Sequence, residues 1–128
     1  MTAQNNKKTK IGRLKKRSDF LWVQEQSRKN DQKWVSKTAI LQIAPNTDKY
    51  DDGVRYGLTV SKRVDKKAVN RNRIKRRLRA VLDDLLVDYA DQGLDIVVIG
   101  RPLTLRAPLE EIDKDIRWCL KRLEVQSS

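Results

Sequence analysis

The sequence predicts an α+β fold in which a small central β-sheet is packed with helices, in the order α-β-β-β-α-β-α. Three observations predict it: two segments have the composition of strands, two carry apolar residues at helical spacing, and a short apolar run, "DIVVIG", lies between Gly93 and Pro102. The 128 residues suffice for one core. We therefore expect a single domain over residues 11–125, after a flexible basic tail at residues 1–10.

The first half of the chain contains a short helix and the first strands. Ser18 is of the type that caps helices, so a short helix is expected to begin there. The stretch from Trp34 to Ala44 is rich in β-branched residues, and "VRYGLTVSK" alternates, with Tyr56 on one face and Arg55 on the other. These two segments predict strands joined as a hairpin.

The other elements follow from their hydrophobic periods. A helix from about Lys67 to Tyr89 is predicted by an apolar stripe of Ile74, Leu78, Val81, Leu82 and Leu85. "DIVVIG" predicts a strand buried on both faces. A last amphipathic helix follows Pro108, and Trp118 lies at the edge of its stripe, where we expect it in the core.

The charge of the chain favours a polyanionic partner. The formal net charge is +12, and a charge of this size is tolerated where a polyanion relieves the repulsion. Residues 1–79 hold 23 basic and 7 acidic side chains, a surplus of 16, whereas residues 80–128 hold 6 and 10, a deficit of 4. We expect nucleic acid rather than an acidic membrane.

The cations are most concentrated in "VNRNRIKRRLR", Val69 to Arg79, where six of eleven residues are Arg or Lys and none is acidic. On the predicted helix, Asn72, Arg76 and Arg79 point away from the apolar stripe. Solvated helix faces usually mix signs, because each like pair costs about 0.2–0.5 kcal/mol. Guanidinium groups match phosphate geometry, so the run predicts a surface for RNA or DNA.

The residue types present exclude several kinds of chemistry. The chain has no histidine and one cysteine, Cys119, which excludes a His base, a thiolate zinc cluster and an intrachain disulfide. Asp83 and Asp84 point about 100° apart on a helix, so they favour solvated acids over a two-metal centre. We predict no catalytic residue and no metal ligand. Nothing predicts a signal peptide or a membrane span, so we expect a cytoplasmic protein.

The segment from Tyr56 to Leu82, "YGLTVSKRVDKKAVNRNRIKRRLRAVL", resembles the signature of the bacterial ribonuclease P protein subunit. The shared features are a strand ending in Val-Ser-Lys-Arg, then Ala-Val, the Arg-Asn-Arg motif and Lys-Arg. "LKKRSDF" and "DIVVIGRP" lie at the distances expected for that family, so the resemblance covers about residues 12–124. It implies a ribosomal protein S5 domain 2-like fold, with the basic helix in a left-handed βαβ crossover.

The resemblance also implies a function. The chain would bind the catalytic ribonuclease P RNA and the 5′ leader of precursor tRNA, and assist endonucleolytic removal of that leader. The RNA would perform the chemistry with Mg²⁺, and no cofactor of the protein itself is predicted. The alternative that remains open is a non-catalytic RNA-binding module, such as a ribosomal protein.

Two binding surfaces are implied by the same resemblance. The surface for the RNA subunit comprises Lys62, Arg63, Lys66, Lys67, Arg71, Asn72, Arg73, Lys75, Arg76 and Arg79. The leader cleft, between the first helix and the sheet, comprises Phe20, Trp34, Ile40 and Gln42. Gln24 and Gln42 stand where the family often has aromatic residues, and the loop "VDKKAV" is one residue longer than usual and lacks glycine. We therefore expect leader stacking and the approach to the basic helix to differ from the family pattern.

Overall fold

The computed structural model describes residues 11–46 and 53–125. In this part of the chain the elements are β1 (Gly12–Arg13), α1 (Arg17–Asn30), β2 (Lys33–Val35), β3 (Ala39–Pro45), β4 (Arg55–Thr59), α2 (Ala68–Leu85), β5 (Leu94–Gly100) and α3 (Leu109–Arg122). Short 3-10 helices follow α2 at Leu86–Tyr89 and β5 at Pro102–Leu105. The α+β class is confirmed, with strand β1 added before the first helix. The predicted tail at residues 1–10 lies outside the described residues.

The strands form one sheet in the order β1-β4-β5-β3-β2. β5 is central, parallel to β4 and antiparallel to β3, and its residues 95–98 are buried, as predicted. The hairpin predicted between the segment from Trp34 to Ala44 and "VRYGLTVSK" is wrong, because β5 lies between β3 and β4. A strand that is apolar on both faces is best covered at the centre of a sheet. The stretch from Trp34 to Ala44 forms a hairpin by itself, as β2 and β3.

Helices cover the two sheet faces unequally. On one face, Leu41 and Ile43 of β3 join the main core with α2 and α3. On the other face, α1 contributes Val23 to a smaller cluster with Ala44 and Val97. The cap residue of α1 is Lys16 rather than the predicted Ser18. Because α1 covers only part of its face, Ile40, Gln42 and Ile99 are partly exposed there.

Helix α2 connects the parallel neighbours β4 and β5. The five residues of its predicted apolar stripe are all buried, and the 3-10 turn at Leu86–Tyr89 completes the predicted segment. Gly100 lets the end of β5 approach α2 closely, since a Cβ atom there would lie 2.6 Å from Cγ2 of Ile74. The left-handed sense of this crossover stays a prediction.

A buried ion pair joins β4 to β5. Arg55 and Asp95 are partners in the strand register, and the guanidinium donates from Nε to Oδ1 at 2.9 Å and from Nη2 to Oδ2 at 2.7 Å. Asp95 is fully buried. Oδ2 of Asp19 on α1 lies 3.8 Å from Nη1 of Arg55, and Nδ2 of Asn46 donates to Oδ1 of Asp95 at 2.8 Å. The network ties α1 and the end of β3 to the central strands.

One cation of the basic run serves the fold. Arg77 donates from Nε to the carbonyl oxygen of Thr104 at 2.9 Å and from Nη2 to the carbonyl oxygen of Ala107. Thr104 and Ala107 are buried, so water does not readily replace the donor. Arg77 therefore fastens α2 to the segment that leads into α3.

Replacing Asp95 by alanine should destabilise the fold strongly. The change leaves the buried Arg55 guanidinium without its bidentate partner, and breaking a buried pair in this way costs about 3–5 kcal/mol. Urea unfolding of both variants measures the loss. The control is Arg117→Ala, which removes surface pairs to Asp88 and Asp113 and should cost at most about 1 kcal/mol. Equal losses in the two variants would contradict the role given to the buried pair.

A second pair of variants separates the structural cation from its neighbour. Arg77→Ala should lower the free energy of unfolding by about 1.5–3 kcal/mol, the range for hydrogen bonds to charged groups. Arg76→Ala, which removes an exposed side chain of the same type, should leave it nearly unchanged. Thermal or urea unfolding measures both variants. An Arg77→Ala protein as stable as the parent would show that the hydrogen bonds of Arg77 do not stabilise the fold.

Candidate nucleic-acid interface

The outward face of α2 carries cations that form no ion pair with a carboxylate of the described residues. Asn72, Arg73 and Arg76 are exposed, while Lys75 and Arg79 are partly buried at the side of the helix. Within residues 11–46 and 53–125, the four cations of this set form no ion pair. The first turn of α2 contains no acidic residue, so the positive end of the helix dipole adds to the same field. This arrangement suits a polyphosphate.

The loop before α2 lacks the glycine that is usual in the family, and side-chain hydrogen bonds hold its conformation. Oδ1 of Asp65 accepts from the backbone N–H of Lys67 at 2.9 Å, and Oδ2 accepts from Nδ2 of Asn70 at 3.1 Å. Nη1 of Arg71 donates to the carbonyl oxygens of Asp65 and Lys66, both at 2.9 Å. Arg71, a predicted RNA contact, thus also holds the loop.

The remaining predicted cations surround this loop. Their side chains are exposed and comprise Lys62, Arg63, Lys66 and Lys67. Because they lie directly before the first turn of α2, they extend its positive face along the chain. The predicted basic residues therefore occupy one stretch of the chain, from the loop to the middle of α2, and most of their side chains are exposed.

A pocket of about 290 Å³ lies where α2 meets the edge of β4. Its lining combines the rings of Phe20 and Tyr56 with four cations, which are Arg13, Lys15, Lys75 and Arg79. Nε of Arg79 is buried and has no hydrogen-bond partner among the described residues. The pocket therefore offers positive charge to an anion.

Tyr56 and Asp83 set the charge at the wall of this pocket. The Tyr56 hydroxyl donates to Oδ1 of Asp83 at 2.7 Å, and Nη2 of Arg13 lies 3.5 Å from Oδ2 of the same carboxylate. Burial raises the pKa of Tyr56, and the hydrogen bond to Asp83 raises it further, so the phenol keeps its proton at neutral pH. The Arg13 guanidinium also lies 5.1 Å from the centroid of the Tyr56 ring. Asp83 thereby offsets one of the four cations.

Three of the four predicted cleft residues share the α1 face of the sheet. The Phe20 ring packs directly on Gly57 of β4, where any Cβ atom would collide with it. Gly57 pairs with Val97, which pairs with Gln42, so Phe20 and Gln42 stand two strands apart on one cross-sheet row. Ile40 belongs to the next row on the same face.

The fourth, Trp34, does not lie in this cleft. It pairs with Leu41, and directly paired residues of antiparallel strands point to the same face, which here is the α2 and α3 face. The Trp34 ring contacts Trp118 of α3, with centroids 5.8 Å apart. Trp118 is 46% exposed, so the expectation that it belongs to the core is also wrong.

A groove of about 810 Å³ opens between α1 and the strands β2 and β3. Its lining includes Leu21, Arg28 and Lys33, together with Gln24 and Gln42, the two glutamines that depart from the aromatic pattern. Oε1 of Gln42 is buried without a hydrogen-bond partner in the described part of the chain. The groove is therefore lined by amides that can form hydrogen bonds.

Sequence reasoning missed the cations that β1 and the following turn bring to Phe20. Arg13 and Lys15 lie in "GRLKKR", directly before α1, and this local concentration of charge was the available signal.

Across residues 11–46 and 53–125, no three His, Cys, Asp or Glu side chains converge to hold a metal ion. No helix in these ranges has the length and apolar character needed to cross a membrane.

Comparison with known proteins gives one consistent result. The family model described as Ribonuclease P matches residues 9–124. The ribonuclease P protein component of Paramagnetospirillum magneticum is 44% identical over 116 residues, which cover 89% of this chain and 84% of that protein. The component of Clostridioides difficile is 33% identical over 112 residues, covering 88% and 91%.

Solved structures of RNase P proteins have a similar fold. The RNase P protein of Staphylococcus aureus, with 26% identity, covers 91% of this chain and 98% of its own at a TM-score of 0.70. The RNase P protein from Thermotoga maritima, also 26% identical, covers 86% and 96% at a TM-score of 0.68. With its basic helix, its sheet order and these matches over nearly the whole domain, the chain belongs to the ribonuclease P protein family, the protein component of a tRNA-processing ribonucleoprotein.

Proposed function

We propose that the protein is the non-catalytic subunit that helps the RNA of ribonuclease P remove the 5′ leader from precursor tRNA. The observation that carries the proposal is the outward face of α2, where Arg73 and Arg76 are exposed and form no ion pair among the described residues. In this proposal the RNA hydrolyses the phosphodiester bond and holds the Mg²⁺ that the reaction requires. The protein contributes binding free energy and orientation.

The face of α2 and the loop before it bind the RNA subunit in this proposal. Arg73 and Arg76 contact phosphates directly, and Asn72, which is exposed beside them on α2, adds an uncharged donor and acceptor. Lys62, Arg63, Lys66 and Lys67 extend the contact along the loop. Arg71 acts in two ways, because its guanidinium already holds the carbonyl oxygens of Asp65 and Lys66 and so fixes the entry into the helix.

The α1 face of the sheet takes the unpaired leader. Phe20 offers a ring at one end of this face. Ile40 and Gln42 lie two strands away, at a distance of roughly 10 Å, since neighbouring strands are about 4.8 Å apart. Lys75 and Arg79 line the same pocket as Phe20. The pocket thus joins the two surfaces, and a leader phosphate next to a base on Phe20 meets cations of the basic helix there.

Arg73→Ala and Arg76→Ala should each weaken binding to a ribonuclease P RNA while leaving the unfolding transition unchanged. Each lost phosphate contact should make the plot of log affinity against log salt concentration shallower by about 0.7–0.9. Arg117→Ala is the matched control, because that guanidinium is already paired with Asp88 and Asp113. Equal slopes in all four proteins, with normal folding, would sink the assignment of α2 to the RNA.

Phe20→Leu should lower the affinity of the reconstituted holoenzyme for precursor tRNA but not for mature tRNA, which has no leader. Stacking of a base on an aromatic ring is worth about 1–3 kcal/mol, and leucine keeps much of the apolar packing on Gly57 while it removes the aromatic face. Binding of both tRNAs is measured beside a thermal melt. Equal losses for precursor and mature tRNA would show that Phe20 serves only the core.

A further inference from the structure

Trp118 presents a large aromatic ring to solvent on α3. The residue is 46% exposed, yet it also packs against another ring. The ring meets Trp34 at 5.8 Å with an interplanar angle of 71°, and the Arg122 guanidinium lies 4.8 Å from the centroid of Trp34. Edge-to-face aromatic pairs and cation–π contacts of this kind each stabilise the packing. Trp118 thus packs against Trp34 and keeps almost half of its surface exposed.

An open pocket of about 730 Å³ lies beside Trp118, between α3 and the turn that joins β2 to β3. Its lining includes Val35 at the end of β2, Lys37 in the turn, Arg101 directly after β5, and Lys114 of α3. Val35 is 48% exposed. The pocket therefore offers apolar surface on its floor and rim with cations around it.

The free charges at this pocket are mainly positive. Lys37 and Lys114 are exposed and form no ion pair within residues 11–46 and 53–125. Arg101 uses Nη1 for the carbonyl oxygen of Ser36 at 2.7 Å, which positions its guanidinium at the rim. Of the two lining carboxylates, that of Asp115 already accepts from the backbone and hydroxyl of Thr38. Glu111, the other lining carboxylate, has no hydrogen bond or ion pair to another described side chain.

We propose that this surface, comprising Trp118, Lys37, Arg101, Lys114 and Arg122, binds an unpaired segment of the RNA subunit, with one base stacked on Trp118 and phosphates on the cations. This inference rests on the function proposed above. An exposed aromatic ring among cations is the arrangement by which proteins hold single-stranded nucleic acid. A protein partner fits less well, because stable protein interfaces bury about 1,200–2,000 Å² and are depleted of charge at their centre.

The RNA subunit suits this surface better than the tRNA leader does. Trp34 belongs with the core cluster of α2 and α3, on the opposite side of the sheet from Phe20 and Gln42. A leader lying on the α1 face would have to pass around the edge of the sheet to reach Trp118. An RNA that covers α2 needs only to continue along the same layer. The Trp118 surface is therefore an extension of the contact to the RNA subunit.

Trp118→Ala should weaken equilibrium binding of the full-length protein to a ribonuclease P RNA by about 5- to 150-fold, the range that base stacking on an aromatic ring spans. Trp118→Phe keeps a ring and should retain most of the affinity. Val87→Ala, which truncates an apolar residue that is also 46% exposed, is the matched control and should bind like the parent. Chemical probing of the RNA should find an unpaired base that the parent and Trp118→Phe protect and Trp118→Ala leaves reactive.

Each other outcome overturns the inference in a recognisable way. If a folded Trp118→Ala protein binds the RNA subunit normally, the Trp118 surface does not contact that RNA. If only the affinity for precursor tRNA falls, the surface binds the substrate instead. A change in the sedimentation mass of the free protein assigns it to a second copy of the chain. If Trp118→Ala does not fold, the Lys37→Glu, Lys114→Glu double variant tests the same surface, and unchanged binding by it refutes the proposal.

Arg73→Ala distinguishes a failure of the Trp118 surface from a failure of the proposed function. If Arg73→Ala weakens binding to the RNA and Trp118→Ala does not, only the Trp118 surface is refuted. If the parent protein does not bind the RNA, or Arg73→Ala binds as tightly as the parent, the proposed function itself fails.

Discussion

The Arg55–Asp95 pair fixes the register of β4 against β5, and the rest of the interface depends on that register. A shift of one residue would send every side chain of β4 to the opposite face. In the observed register Tyr56 faces α2, where it binds Asp83, and Gly57 faces α1, where it leaves room for the Phe20 ring. The pocket that joins both proposed RNA surfaces needs these two residues on opposite sides of one strand. A buried charge pair is directional in a way that apolar packing is not, and it sets this alternation.

The cations of α2 have different roles, and these roles depend on what packs around each side chain. Arg77 is directed toward carbonyl oxygens of the segment before α3, and Arg71 turns back onto its own loop. Arg73 and Arg76 are left to solvent, while Lys75 and Arg79 line the pocket. Cations that hold the helix in place carry less repulsion, because carbonyl oxygens lie against them. The repulsion that remains is concentrated in the groups available to phosphate.

How far the sequence predicts this protein depends on the range of the signal. The α2 stripe is a local period, so its buried residues were predicted in full, and the Arg-Asn-Arg segment located the basic face. The β3–β4 hairpin was predicted wrongly because neighbours in sequence need not pair when a third strand is apolar on both faces. Trp34 was assigned to the cleft by the family resemblance, but it pairs with Leu41 and lies on the other face of the sheet; the alternation of a three-residue strand is too short to have corrected that assignment. Asp95 inside an apolar strand was a visible anomaly, but its partner Arg55 lies 40 residues away, and no local pattern joins them.

The free protein holds the charges of the proposed RNA surface at a cost that a bound phosphate would lower. On the outward face of α2, neighbouring cations repel by about 0.2–0.5 kcal/mol per pair, and Nε of Arg79 is buried without a partner among the described residues. Asp83 could relieve more of this repulsion, but its carboxylate is occupied by Tyr56 and Arg13. Because the Tyr56 phenol stays neutral, it binds Asp83 without adding charge. Any phosphate that enters therefore meets a pocket whose geometry is set by Tyr56 and Gly57 and whose positive charge is only partly offset. Binding and stability are linked through that charge, since a ligand that favours the folded state stabilises it by mass action.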